Sequence, residues 1–191
     1  MTLEVTRKPI GDILSLLEKY EWQIPKFQRD FIWNQNQVYE LLKSIFNGRP
    51  IGLITLWTQP QGRPYTDPEA IKLRGVAFGG EKESPAVIKL VLDGKQRLTT
   101  LAIAFGKLRP PDARFLFSGD WFINLDADID SDNLILYYKQ ADVQKKSLNQ
   151  MSNCLAAALI PLHDYKNLNQ YNQNINNPEF YPDRKIPDEK I

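Results

Sequence analysis

Four apolar positions, Ile10, Ile13, Leu14 and Leu17, fall at i, i+3, i+4 and i+7 and share one face, which predicts a helix over Ile10–Tyr20. From Gln23 to Trp33 (QIPKFQRDFIW) the helical period disappears. Pro25 disfavours helix there, and aromatic residues alternate with polar ones, so this stretch reads as extended strand or loop. A second helix follows with defined ends: Asn34 as N-cap with Gln37 three residues on, Val38, Leu41, Leu42 and Ile45 on one face, and Gly48 as the left-handed terminator. After Arg49-Pro50, the apolar run Ile51–Trp57 (IGLITLW) predicts a buried strand.

Between residues 59 and 86 stand Pro60, Gly62, Pro64, Pro68, Gly75, Gly79, Gly80 and Pro85, a density of breakers expected of a long surface loop with a short hairpin around Gly75–Phe78. Val87–Leu92 (VIKLVL) then reads as a mostly buried strand. The turn Asp93–Arg97 (DGKQR) leads into a helix whose face is Leu98, Leu101, Ala102 and Phe105, ending near Pro110-Pro111. Arg114–Phe117, Trp121–Leu125 and Asn133–Tyr138 are predicted strands, and Leu148–Leu159 a helix holding Cys154. Eight of the eleven residues from Asn167 to Asn177 are Asn or Gln, which predicts an exposed loop or linker. The expected organisation is one α+β domain over 1–165 and, over 166–191, an Asn/Gln-rich linker or the start of a following region.

Composition narrows the chemistry. The chain of 191 residues has one Cys, one His and a net charge of +1. Zinc sites with four Cys/His ligands, and nucleophilic centres that depend on a placed His, are nearly excluded. The lone Cys154 cannot form an internal disulfide, the first residues show no secretory pattern and no apolar run matches a membrane span, so a cytoplasmic protein without membrane contact is expected. Charge is unevenly spread. Residues 1–110 hold 16 Lys/Arg against 11 Asp/Glu, and residues 111–191 hold 8 against 12. Any anion binding is therefore local, and non-specific coating of nucleic acid is disfavoured.

Two segments can carry chemistry. A strand ending in Asp93-Gly94 and opening a helix places backbone N–H groups and the positive helix end at one point, which suits an anion. Gly94 allows close approach of a phosphate, Arg97 offers a planar fork and Lys95 a point charge. Asp93 can hold a divalent cation through water, and Gln96 can orient a water molecule or a base edge. The plain alternative is a turn with Asp93 as helix cap and with Lys95 and Arg97 solvated. Neither a Walker A motif nor GxGxxG is present. The second segment is Phe27–Trp33 (FQRDFIW). Gln28 and Arg29 interleaved with aromatics suit base stacking and hydrogen bonding. Alternatively Phe27, Phe31 and Trp33 anchor the core while Arg29 and Asp30 pair locally.

IPKFQRDFIWNQNQVYELLKSIFNGRPIGLITLW followed by VLDGKQRLTTL resembles the N-terminal domain of GmrSD-type restriction proteins, type IV enzymes that act on modified DNA. The resemblance covers residues 8–108 and extends through FINLDAD and LIPLHDY to about 165. It implies a ParB/sulfiredoxin-like fold, a small mixed sheet flanked by helices, in which an Asp-Gly-Gln-Gln-Arg motif binds and hydrolyses a nucleoside triphosphate (GTP, UTP or CTP) with Mg²⁺. Carried over by position, Asp93, Gln96 and Arg97 are the implied catalytic residues and Asp93 the metal ligand. Gly94, Lys95, Arg97, Gln28 and Arg29 are the implied nucleotide contacts, and Lys26 and Arg29 the DNA contacts. Position 95 departs from the family in being Lys where Gln is usual, which bears on hydrolysis. Nuclease chemistry is implied only in a separate C-terminal His-Asn-His-like domain, in the same chain or in a partner.

Three further readings stand beside this one. A DNA- or protein-binding module without hydrolysis would account for Lys95. An intrinsic nuclease would need an acidic cluster around Asp93 and Asp30. The run Asp126, Asp128, Asp130, Asp132 suggests calcium, but an EF-hand loop begun at Asp126 has Ser131 at the sixth position and Tyr137 at the twelfth, in place of Gly and Glu. His163, in IPLHDY, reads as an ordinary surface or capping residue.

Overall fold

A computed structural model describes residues 6–19, 21–25, 28–60, 87–107 and 117–175. The expected loop and hairpin over 61–86, Lys26, Phe27, most of the Arg114–Phe117 strand and the segment after 175 lie outside the described residues.

The first helix, α1 (Ile10–Glu18), buries Ile13, Leu14 and Leu17 as its period requires. Trp22–Gln23 form β1, and α2 spans Gln35–Phe46. The α2 start is a complete capping box: Gln37 N–H donates to Asn34 Oδ1 at 3.0 Å, and Asn34 N–H donates to Gln37 Oε1 at 3.0 Å. Gly48 follows at φ +64. Asn34→Ala removes the bond accepted by Asn34 Oδ1, while the backbone N–H of residue 34 can still donate to Gln37 Oε1, and is expected to cost about 1 kcal/mol, read as a lowered midpoint in chemical denaturation.

Strand β2 (Thr55–Pro60) pairs antiparallel with β3 (Val87–Asp93), and β1 pairs parallel with β3 on its other side, giving a mixed sheet in the order β1-β3-β2. The expectation of a buried strand over 51–57 is corrected here. The strand starts only at Thr55 and lies at the sheet edge, with Leu53 69% and Trp57 46% exposed. Central β3 does bury Leu90 and Val91. It runs into α3 (Lys95–Gly106), which is buried at nearly every position from Lys95 to Phe105 and forms the axis of the core.

A second sheet, antiparallel in the order β5-β4-β6, comprises β4 (Asp120–Asn124), β5 (Ile135–Tyr138) and β6 (Leu159–Pro161). The alternation of side chains along β4 joins the two halves of the molecule. Trp121 enters the core built by α1, α2 and α3, while its neighbour Phe122 enters a second cluster with Val143, Cys154, Leu155 and Tyr171. The architecture is α+β.

A short helix, α4 (Gln140–Lys145), precedes the span expected to be one helix over Leu148–Leu159, which holds only α5 (Met151–Ala156) before β6 begins at Leu159. Ser147 at φ +51 and Ala158 at φ +54 turn the chain on either side of α5. The Asn/Gln tract also differs from the open loop expected of it. Leu168–Ile175 form α6, following a 3-10 turn (Leu162–Asn167), and Tyr171 is buried with its hydroxyl donating to Asp164 Oδ2 at 2.9 Å. Tyr171 is the buried anchor of this mostly polar helix, whose first residue, Leu168, is 42% exposed.

Candidate functional site

The two motif segments meet at one cleft. At the end of β3, Gly94 adopts φ +99, a left-handed conformation that glycine takes at little cost, and its own backbone serves as the N-cap of α3. No side chain caps the helix. Asp93 is therefore not the cap, and the N–H groups of the first turn of α3 have no partner from the helix itself. The reading of DGKQR as a plain solvated turn is also corrected, because Lys95 and Gln96 are buried and the Arg97 side chain is only 20% exposed.

Arg97 is held from two sides. One terminal nitrogen donates to Ile51 O at 3.1 Å and the other to Asp93 Oδ2 at 3.0 Å. Gly52, at φ +87, lies against the guanidinium so closely that an added Cβ would stand 2.1 Å from Arg97 Nη1. Ile51 and Gly52 are thus site residues that pattern reading missed. The available signal was a glycine two residues after Pro50, inside an otherwise apolar run.

The Gln28–Trp33 segment crosses this turn in extended form. The Gln28 amide donates to Val91 O and, at 3.0 Å, to Leu92 O. Lys95 Nζ donates to Arg29 O at 2.7 Å. Gln96 donates from Nε2 to Asp30 O at 2.9 Å and accepts at Oε1 from Ile32 N–H at 3.0 Å. The aromatics divide. Phe31 is core, edge-on to Phe117, whereas Trp33 is half-buried and faces the cleft. Arg29 and Asp30 are exposed and form no ion pair with each other, so the local pairing expected of them is absent.

The cleft between these segments has a volume of about 420 Å³, within the range of small-molecule sites. Gln28, Arg29, Asp93, Gly94, Lys95, Gln96 and Arg97 all line it, together with the apolar wall of Trp33, Leu41 and Ile51. Three cationic side chains stand there against one carboxylate. The Arg97–Asp93 pair is partly solvated, with Asp93 72% exposed, and such pairs contribute little to stability. An incoming anion can therefore displace Asp93 from Arg97 at small cost.

The other candidates lie elsewhere. His163 Nδ1 is 3.9 Å from Asp120 Oδ1, and Lys107 Nζ is 3.3 Å from Asp120 Oδ2. None of the three lines the cleft. Burial pushes the Cys154 thiol up to about 11, and its Sγ donates to Leu148 O, so it is a packing residue rather than a nucleophile. In the acidic run, Asp132 pairs with Lys43 at 2.8 Å and is held below the usual carboxylate range chiefly by that hydrogen bond. Among the described residues no group of three or more His, Cys, Asp or Glu is arranged to hold a metal ion. No helix among them is long and apolar enough to cross a membrane.

The chain was compared with known proteins. The uncharacterized protein MJ0686 of Methanocaldococcus jannaschii is 29% identical over 161 residues, which is 80% of this chain and 27% of that protein. The chain thus spans just over a quarter of the length of this curated relative. No solved structure matches. A family model described as the GmrSD restriction endonuclease, N-terminal domain, matches residues 10–189, a span that contains both segments of the cleft. The chain belongs to the family of GmrSD restriction endonuclease N-terminal domains.

Proposed function

We propose that the cleft binds a nucleoside triphosphate (GTP, UTP or CTP) and hydrolyses it with Mg²⁺, as the regulatory domain of a restriction or phage-defence protein acting on modified DNA. The observation that carries this reading is the convergence of Gln28–Trp33 and DGKQR on one cationic cleft over the uncapped first turn of α3. The phosphates lie against the N–H groups of residues 94–97, with Arg97 and Arg29 as cationic contacts. Trp33, Leu41 and Ile51 form the wall for the base. Asp93 is the one carboxylate among the lining residues and is mostly exposed. That fits Mg²⁺, which is commonly held by one or two carboxylates plus phosphate oxygens and supplies charge neutralisation there. Arg29 and, by its place in the sequence, Lys26 are the proposed contacts to modified DNA. Cutting belongs to a His-Asn-His-like nuclease domain in the same chain or in a partner.

Isothermal titration with GTP, CTP, UTP and ATP, with and without Mg²⁺, tests the binding claim. Saturable heat with at least one nucleotide, lost in Arg97→Ala, is expected. No heat with any of them overturns it. Trp33→Ala is expected to weaken nucleotide binding by about 1–3 kcal/mol, the usual worth of a stacked base, while inorganic triphosphate binds within about twofold of wild type.

One observation favours the second reading, a DNA- or protein-binding module without hydrolysis. Each end of the Gln96 amide is engaged on the backbone, at Asp30 and Ile32, in a residue only 8% exposed, so its orientation is committed to that segment rather than to an attacking water. A phosphate-release assay separates the two. Turnover in wild type supports hydrolysis, and turnover found only in Lys95→Gln supports the module.

A further inference from the structure

We infer that Lys95 and Gln96 are positioning residues. They clamp the backbone of residues 29–32 against the first turn of α3, and by doing so they fix where Arg29 enters the cleft. Arg29, and not Lys95, is then the side chain that meets the ligand's phosphates, an assignment that rests on the nucleotide reading above.

Both motif side chains are buried, Lys95 at 7% exposure and Gln96 at 8%. Burying an ammonium or an amide is unfavourable unless it is hydrogen-bonded, so partners at such positions are obligatory. The partners observed are backbone groups 66 and 64 residues away in sequence, Arg29 O for Lys95 and Asp30 O and Ile32 N–H for Gln96. The Gln96 amide thus donates to one backbone group and accepts from another two residues on, as a neighbouring strand would, and this sets the register of the segment. Gln28 adds a reciprocal anchor from the segment to Leu92 O on β3. Anchors therefore stand on both sides of Arg29 and on its own carbonyl.

The Arg29 side chain is exposed, lines the cleft and makes no hydrogen bond or ion pair with another described residue. Its direction is consequently set by its backbone. Lys95 governs that backbone through a 2.7 Å bond to the Arg29 carbonyl. A Gln amide nitrogen sits one bond nearer its own backbone than a Lys ammonium, so the Lys at this position gives the clamp a longer reach.

The test is a double-mutant cycle on binding of GTP and of inorganic triphosphate to wild type, Lys95→Met, Arg29→Ala and the double variant, each first shown to be folded by thermal unfolding. Losses of roughly tenfold or more are expected for each single variant, and the double variant is expected to bind no worse than Arg29→Ala alone. Losses that multiply would place Lys95 directly on the ligand and overturn the proposal. A ligand-free readout accompanies it. Hydrogen exchange at the Ile32 amide is expected to accelerate at least tenfold in Gln96→Ala, with the core amide of Leu101 unchanged. Protection should return in Gln96→Glu, whose carboxylate still accepts from Ile32 N–H. Unchanged Ile32 protection in Gln96→Ala overturns the clamp. If wild type binds neither ligand, the nucleotide reading fails while Ile32 exchange still decides the positioning role.

Discussion

Gly52→Ala is expected to weaken nucleotide binding about as much as removal of the Arg97 guanidinium itself. The added Cβ would stand 2.1 Å from Arg97 Nη1, so the guanidinium must leave its seat beside Ile51 O. The end of an arginine moves easily, and the steric clash alone therefore costs little stability. What the substitution adds is strain at φ +87, about 1–2 kcal/mol, or a fall of roughly 2–8 °C in Tm for a chain of this size. Function suffers more. A hydrogen bond to a charged group is worth about 1.5–3 kcal/mol, so affinity should drop roughly 10- to 150-fold in both Gly52→Ala and Arg97→Ala. Gly48 supplies the control, because its φ of +64 carries comparable strain with nothing within 4 Å of an added Cβ. Gly48→Ala should lose stability and keep affinity. Wild-type affinity in Gly52→Ala alongside a deficit in Arg97→Ala would show that the glycine does not seat the arginine.

Gly119→Ala is expected to be the most destabilising of the substitutions considered. A Cβ there would lie 1.7 Å from Tyr138 O, 2.6 Å from Tyr138 C and 2.7 Å from the Cα of Lys139. All three are backbone atoms, and none can rotate away. The end of β5 must shift from the start of β4, which disturbs the Asp120–Tyr138 pairing and the Trp121–Tyr137 ring contact at 4.9 Å. Overpacking of this kind costs about 3 kcal/mol, a Tm fall of roughly 6–12 °C by differential scanning calorimetry. Gly119 does not line the cleft, so the folded variant should bind nucleotide within about twofold of wild type. An unchanged Tm would contradict the close approach of β4 and β5.

The contrast between these glycines marks what a single sequence discloses. Asn34 and Gln37 bond to each other, and Gly48 N–H to Ile45 O, each pair three residues apart, so α2 is legible to its caps because capping is local chemistry. The two motifs were likewise legible as chemistry, since strand, Asp-Gly and helix imply an anion site wherever they occur. The couplings were not. Nothing local in DGKQR says that Lys95 and Gln96 bond to backbone groups 66 residues upstream, or that Gly52 seats Arg97. The run over 51–57 reads as a buried strand because an apolar run carries no sign of whether it becomes centre or edge. The turn at Ala158 uses a left-handed non-glycine residue, so no glycine marks where the helix expected over 148–159 gives way to β6. In the Asn/Gln tract, composition outweighed Tyr171, a single residue whose partner Asp164 lies outside the tract.

The most direct test of the nucleotide claim is amide hydrogen exchange of the wild-type chain with and without saturating nucleotide and Mg²⁺. Protection confined to residues 28–33 and 93–98, with the acidic segment 126–132 and helix α6 unaffected, is the expected result. Protection centred on 126–132, or none anywhere at saturating nucleotide, would contradict the assignment of this cleft.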